Sequence, residues 1–488
     1  MSGEKGSREM KARLSRRSFL RNTAWAAGAA AVCGPYVMAD PAPNSRLNCV
    51  VIGCGRRGAA HIEAAAHEKI VAFVDVDENN SAKAVKWLAD EGNVKKFKLP
   101  AQAPSAIKTY VDLRKLLDEM HKDVDAVFIA TPDHNHAWPA MAAIRAGKHV
   151  YCEKPLTYDI YEARALAEAA KKFKVATQMG NQGHASEDER RFCEYIAAGA
   201  IGQVTETHSW RGAQYRGGKR PPSKPVPKGL NWDMWIGPAP YRDFHDGLLN
   251  YGWLGWWDFA AAGMLGGWGH HVLDPVFFAL KPGFPTSVEM VDMVPGEPEG
   301  FPKMDTIRYD FPARGDMAPF KMFWYDGAKR GTPIDYNSRQ VEPDAKKEDA
   351  NRPDIAAELE KKYNRNFGEN GTLYIGEKGI MHTTGYGGSP RIIPEEKHKE
   401  FKPPEKTLPR VKGIFEDFIQ ACKGGPILPC SNFTDYAGPF TEAMLTGKLA
   451  MKAGKGKKIE WDGPNMKCTN MPELNQYVKR EYRKGWEL

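Results

Sequence analysis

Three glycines, in the order Gly53-Cys54-Gly55-Arg56-Arg57-Gly58, are the first residues whose spacing carries chemistry. An apolar run over 47–52 precedes them and predicts a strand, and the pattern over 59–67 predicts a helix. Glycines at such a turn permit a tight bend, close backbone approach to a pyrophosphate, and close helix–strand packing. The helix start adds free N–H groups and a positive dipole end. A second strand over 70–74 ends at Asp75, about 20 residues beyond Gly55, where a carboxylate accepts the adenosine ribose diol and repels a 2′-phosphate. This is dinucleotide chemistry, with NAD preferred over NADP. Gly53, Gly55, Arg57 and Gly58 fall to the pyrophosphate and Asp75 to the ribose.

Further polar residues stand at predicted strand ends. Thr131-Pro132-Asp133-His134-Asn135-His136 follows a strand over 126–130. Glu153-Lys154-Pro155 follows one over 149–152, and Gly180-Asn181-Gln182 one over 175–178. Helical patterns over 137–146 and 159–173 separate them. Such alternation gives a parallel sheet covered on both faces, with ligand at the carboxyl ends of its strands. An ammonium at Lys154 can polarise a substrate oxygen; the bland alternative is an ion pair with Glu153.

From about residue 180 the pattern changes. A helix over 187–198 is followed by short strand-like runs over 204–210, 306–310 and 319–325, divided by Pro/Gly-rich loops such as 217–229. This fits a mostly antiparallel sheet. The charged stretch over 342–362 reads as a solvated helix or loop. Seven of the 13 tryptophans fall between Trp210 and Trp268. Indole suits the apolar faces of sugars, so two or three of the seven, Trp256 and Trp257 among them, are expected to line a substrate cleft. No Cys-x-x-Cys pair occurs and no metal is expected; Cys422 and Cys430 are open to pairing.

These motifs resemble the Gfo/Idh/MocA family of NAD(P)-dependent oxidoreductases. The resemblance rests on the glycine turn, Thr131-Pro132-x-x-x-His136, and Gly147-Lys148-His149-Val150 leading into Glu153-Lys154-Pro155. Gly266 to Asp274 and Tyr436-Ala437-Gly438-Pro439 extend it. It implies an α/β chain: an N-terminal Rossmann domain over 47–179 and an α/β C-terminal substrate domain over 180–488 with a large, mostly antiparallel open sheet. It also implies a homo-oligomer. Thr131, Pro132, His136, Glu153, Lys154 and Asn181 join the cofactor set. Lys154, His184, His270 and His271 join the tryptophans on the substrate side. Lys154, His271 and Asp274 are the catalytic candidates. His271 falls on the family histidine, but the family aspartate position is Gly267. His271 then acts alone, or with Asp274 or His270 orienting it, or Tyr251 or Asp258 substitutes for the missing acid.

The net charge of +8 admits nucleic acid or an anionic membrane as a partner until it is located. The first 39 residues carry seven basic and two acidic side chains, so five of the eight charges lie there. Arg16-Arg17-Ser18-Phe19-Leu20 precedes the uncharged run over 22–38, a pattern similar to a twin-arginine export signal over 1–39, with a linker over 40–46. The remainder has no basic cluster, and neither a nucleic-acid partner nor stable membrane insertion is expected. Export by the twin-arginine machinery to the periplasm implies a cofactor loaded before transport and recycled within each turnover. Three functions follow in order: a sugar or polyol oxidoreductase with retained NAD; a redox-neutral NAD-dependent glycosidase; a non-catalytic sugar-binding protein.

Overall fold

The computed structural model describes residues 46–215, 217–328, 349–426 and 428–488. The leader over 1–39, most of the linker and residues 342–348 of the charged stretch lie outside the described residues. Among the described residues no helix is long and apolar enough to cross a membrane.

The first sheet holds six parallel strands: β1 (Asn48–Ile52), β2 (Lys69–Val74), β3 (Lys108–Tyr110), β4 (Ala126–Ile129), β5 (His149–Glu153) and β6 (Thr177–Gly180). Their spatial order is β3-β2-β1-β4-β5-β6. That order reverses direction at β1/β4, which opens a crevice at the carboxyl ends of the central strands. Apolar runs such as Cys49-Val50-Val51-Ile52 are buried on both faces, which is why these strands read as continuous rather than alternating. Side-chain caps start several helices. Asp77 accepts from the Asn79 amide, and Asp159 accepts from the Glu162 amide at 2.9 Å. The short β3 is absent from the sequence reading because three residues are too few for a period. The last strand lies about two residues beyond its expected place, where Gln178, Met179 and Gly180 pair with β5.

The second sheet has nine strands. Its order is Arg391–Ile393, Gly379–Thr384, Asn370–Gly376, Val204–Arg211, Phe320–Gly327, Met304–Phe311, Ser287–Val294, Lys458–Asp462, Lys467–Cys468. Every pairing is antiparallel except that of Val204–Arg211 with Phe320–Gly327, so the sheet is mixed and mostly antiparallel. Helix Asp354–Tyr363, in the charged stretch, is solvated on one face only. Ala356 and Leu359 pack into a small core with Trp210, Phe367 and Leu373.

Two later segments return to the first sheet. Helix Ile414–Cys422 packs Phe418 and Cys422 against Phe73, Phe128 and Tyr151. The C-terminal tail is pinned by Arg480, whose guanidinium donates to Glu162 at 2.6 Å and to the His134 carbonyl at 2.7 Å. All seven cysteines in the described residues are free, including Cys422 and Cys430.

Candidate active site

A cleft of about 840 Å³ runs from the glycine turn, along the ends of β1, β2, β4 and β5, to the helix Gly263–Val272. Gly53, Gly55, Arg57, Asp75, Thr131, Pro132, His136, Glu153, Lys154 and His271 all line it, so one wall gathers most of the residues selected from sequence.

The glycine turn is a cradle that side chains would fill. A Cβ at Gly58 would lie 2.0 Å from the Gly53 carbonyl oxygen, and one at Gly53 2.7 Å from that of Ala130. Gly53 also has φ +81°, in the left-handed region. The Arg57 Nη2 is buried without a hydrogen-bond partner, a donor left over for an anion. Asp75 sits at the end of β2, where its carboxylate accepts from the Cys54 amide at 2.7 Å and the Asp77 amide at 2.8 Å. Burial raises its pKa, against those two bonds. These features fit a pyrophosphate at the turn and a ribose at Asp75. Gly58→Ala is expected to cost about 1–3 kcal/mol and to empty the cradle. Thermal melting and the nicotinamide content of the purified protein check it.

Glu153 does not pair with Lys154. It binds Arg57 at 2.7 Å and His61 at 2.9 Å. Burial opposes its charge, but His61 and Arg57 outweigh that and hold the carboxyl down to about 2. Glu153 is thereby the anchor of Arg57 at the cofactor turn. The Lys154 Nζ instead donates to the Gly267 carbonyl at 2.7 Å. Burial draws its pKa below the usual lysine value, against Asp133 and Glu153. His136 places both ring nitrogens on backbone carbonyls, Pro155 at 2.7 Å and Thr131 at 2.8 Å, and so ties the ends of β4 and β5 together.

His271 lies one helical turn beyond Gly267 on the same face. Its ring packs against that of Tyr386 at a tilt of 33°, with centroids 4.3 Å apart. Burial, then Lys154, hold its pKa well below 6.5, so the imidazole is neutral, and its Nδ1 has no hydrogen-bond partner.

Several selected residues lie away from the cleft. His270, adjacent to His271, points to Thr441 at 2.9 Å. Asp274 does not orient His271: it accepts from Asn181 at 2.9 Å, from His184 at 3.2 Å and from the Tyr436 hydroxyl. Asn181 and His184 are consumed by that contact, and Gln182 lines the cleft instead. Asp274, His184 and Glu189 bring ligand atoms within 4.8 Å of one another. Burial would strip the His184 proton, but Asp274 and Glu189 hold its pKa up to about 9, which makes the group a buried ion pair. Trp256 packs under the Arg242 guanidinium, and Trp257 under Lys452 and against Phe301. Trp235, Trp253 and Trp268 are the members of the tryptophan group that reach the cleft. Tyr251 lines it as well, whereas Asp258 is paired with Arg242. Sequence reasoning missed Tyr215, Tyr386 and Trp486, which tertiary packing alone brings to the cleft.

Comparison with known proteins agrees with this geometry. Residues 47–181 match the family model described as GFO_IDH_MocA, oxidoreductase family, NAD-binding Rossmann fold. Residues 199–313 match that of the same family's C-terminal alpha/beta domain, so that the two take in just over half the chain. A levoglucosan dehydrogenase of Pseudarthrobacter phenanthrenivorans is 34% identical over 115 residues, 24% of this chain and 28% of that protein. A glycosyl hydrolase family 109 protein of Shewanella pealeana is 26% identical over 175 residues, 35% of this chain and 36% of that protein. The chain thus spans well under half the length of these curated relatives. Among solved structures, the WlbA dehydrogenase from Bordetella pertussis, in complex with NADH and UDP-GlcNAcA, superposes with a TM-score of 0.53 at 15% identity. That match covers 86% of this chain and 99% of the other, and shows a shared fold.

Proposed function

Because this chain belongs to the Gfo/Idh/MocA oxidoreductase family, we propose that it is an NAD-dependent oxidoreductase acting at a ring carbon of a sugar, polyol or glycoside. The observation that carries the reading is the meeting of Lys154, His271 and the glycine cradle on one cleft. Bound NAD supplies the acceptor of a hydride and, on return, its donor. The chain's own residues do the rest. The Gly53–Gly58 turn and Arg57 hold the pyrophosphate, and Asp75 holds the ribose. The Lys154 ammonium polarises the substrate oxygen, and its depressed pKa readies it to share a proton. The neutral His271 offers a hydrogen bond without adding a second positive charge. Trp253, Trp268 and Tyr386 supply apolar faces for a ring.

Retention of the cofactor belongs to the same reading. On the twin-arginine reading of Arg16-Arg17 the protein works outside the cytoplasm, where no NAD pool replenishes the cofactor. In support, the cleft is also walled by Leu230 and Met234 from the second domain and by Trp486 from the C-terminal tail. Trp486 meets Trp138 at 5.2 Å and lies under the Arg114 guanidinium. Trp486→Ala is expected to accelerate release of the reduced cofactor about tenfold or more, read as loss of dihydronicotinamide fluorescence on dilution. The homo-oligomer implied by the family resemblance is checked by light scattering.

A redox-neutral glycosidase is a second reading, favoured by the similarity to a glycosyl hydrolase family 109 protein and by Gly267 in place of the family carboxylate. The deciding experiment offers free sugars and chromogenic glycosides separately to the exported protein. Reduction of bound NAD by a free sugar supports the first reading. Aglycone release without net NADH supports the second. A protein that binds no NAD sinks both.

A further inference from the structure

We propose that the Tyr215 hydroxyl takes and returns the proton of the substrate hydroxyl, standing in the space where a side chain from position 267 would lie. The inference rests on the oxidoreductase reading above. A Cβ built on Gly267 would lie 2.6 Å from both the Tyr215 Cε2 and its hydroxyl oxygen, and 3.0 Å from Cζ. No residue but glycine fits at 267 while that ring is in place. The absent carboxylate and the tyrosine are therefore one structural fact: the volume is filled, and filled by a phenol. The carbonyl of the same Gly267 accepts the Lys154 ammonium at 2.7 Å. Tyr215 and Lys154 thus converge on one residue, both line the cleft, and His271 follows a single turn along the helix.

The ring is anchored from behind. Tyr215 is buried, and its amide donates to the Gln214 side chain at 2.9 Å. Gln214 in turn donates to the buried Asp326 at 3.0 Å, and Asp326 also accepts from Trp324 at 2.9 Å. This chain of bonds roots the tyrosine in the nine-stranded sheet. Two acids of the cleft are bound by the protein itself. Glu153 is bound by Arg57 and His61, and Asp133 accepts from the Ala261 amide at 3.0 Å. His271, whose Nδ1 is unpartnered, is left to hydrogen-bond the substrate.

The chemistry balances. The carbinol carbon gives up a hydride to NAD, its O–H bond breaks toward Tyr215, and the carbonyl forms. In this step Tyr215 enters as phenolate and leaves as phenol, so the proton is accounted for. On the return step the proton goes back to the carbonyl oxygen as the hydride returns to carbon. The cleft it lines also holds Lys154, Asp133, Glu153, Arg57, His271 and Tyr386, and Asp326 stands behind it through Gln214.

Tyr215→Phe keeps the ring and removes only the hydroxyl. Its melting temperature and NAD content should match the parent protein. Single-turnover reduction of bound NAD by substrate should fall about 10²- to 10⁴-fold, and its rise with pH should flatten. Partial recovery is expected when Tyr215→Ala is combined with Gly267→Asp, which places a carboxylate in the vacated space. A second readout needs no turnover: the tyrosinate absorbance of parent minus Tyr215→Phe should titrate below the ~10 of an ordinary tyrosine and move up in Lys154→Met. Hydride transfer within about threefold of the parent in Tyr215→Phe overturns the proposal. So does a tyrosinate difference that titrates as an ordinary tyrosine. A parent protein that transfers no hydride overturns the oxidoreductase reading instead, and the tyrosinate titration then decides the fate of this one.

Discussion

Lys154→Met is expected to lower hydride transfer by about 10²- to 10⁴-fold while the protein stays folded and keeps its NAD. The expectation follows from where the ammonium points. Its hydrogen bond goes to the backbone carbonyl of Gly267, which belongs to the helix Gly263–Val272 and retains a place in that helix's own bonding ladder. Glu153 loses nothing, because Arg57 and His61 hold it. Methionine preserves the apolar stem and removes only the charge. A lysine serving structure alone would give the opposite pattern, a lower melting temperature with the rate intact. Single-turnover reduction of bound NAD, set beside thermal melting of the same variant, separates the two. The depressed lysine pKa adds a direction: raising pH deprotonates Lys154 earlier than an exposed lysine, so substrate polarisation fades earlier on the alkaline side.

Asp274→Ala is expected to cost about 3–5 kcal/mol of stability, with the hydride step of the folded fraction largely preserved. The residue lies within the catalytic stretch by sequence, yet it is the counter-charge of a buried imidazolium. Its removal leaves His184, the Asn181 amide and the Tyr436 hydroxyl without their acceptor. Glu189, 3.5 Å from His184, is the acid that remains beside the imidazole. Burial and the charge of Asp274 push Glu189 up to about 8, so it is mostly neutral at pH 7. Both groups titrate higher in the folded protein than in the unfolded chain. Their stabilisation is present at low pH and fades as pH rises, from about 4.5 to 8 for Glu189 and from about 6.5 to 9 for His184. The parent protein should therefore lose melting temperature between pH 6.5 and 9, and Asp274→Ala should show a flatter profile. Calorimetry across that range is the measurement. Unchanged stability with abolished hydride transfer would return Asp274 to a catalytic role.

Local sequence carried the first domain. The glycine turn, the strand before it, Asp75 and Glu153-Lys154-Pro155 are short, contiguous patterns, and each forms the element its own residues dictate. Parallel strands buried on both faces announce themselves as unbroken apolar runs, so the alternation and the carboxyl-end cleft follow from periodicity. The second domain was legible only as a class of sheet. Its strand order joins segments about 170 residues apart, as in the pairing of Ser287–Val294 with Lys458–Asp462, and no local pattern encodes such a pairing.

The division is sharpest in the helix Gly263–Val272. The sequence by itself determined that two histidines sit there beside a glycine in an acid's place. A helix turns by about 100° per residue, so the packing of the helix alone decided that His271 faces the cleft with Gly267 while His270 faces Thr441. Likewise the cofactor cradle and the lysine are properties of the chain read in order. The roles of Tyr215, Trp486 and Asp274 are not, because each depends on which distant surface its side chain meets, and only tertiary packing sets that distance.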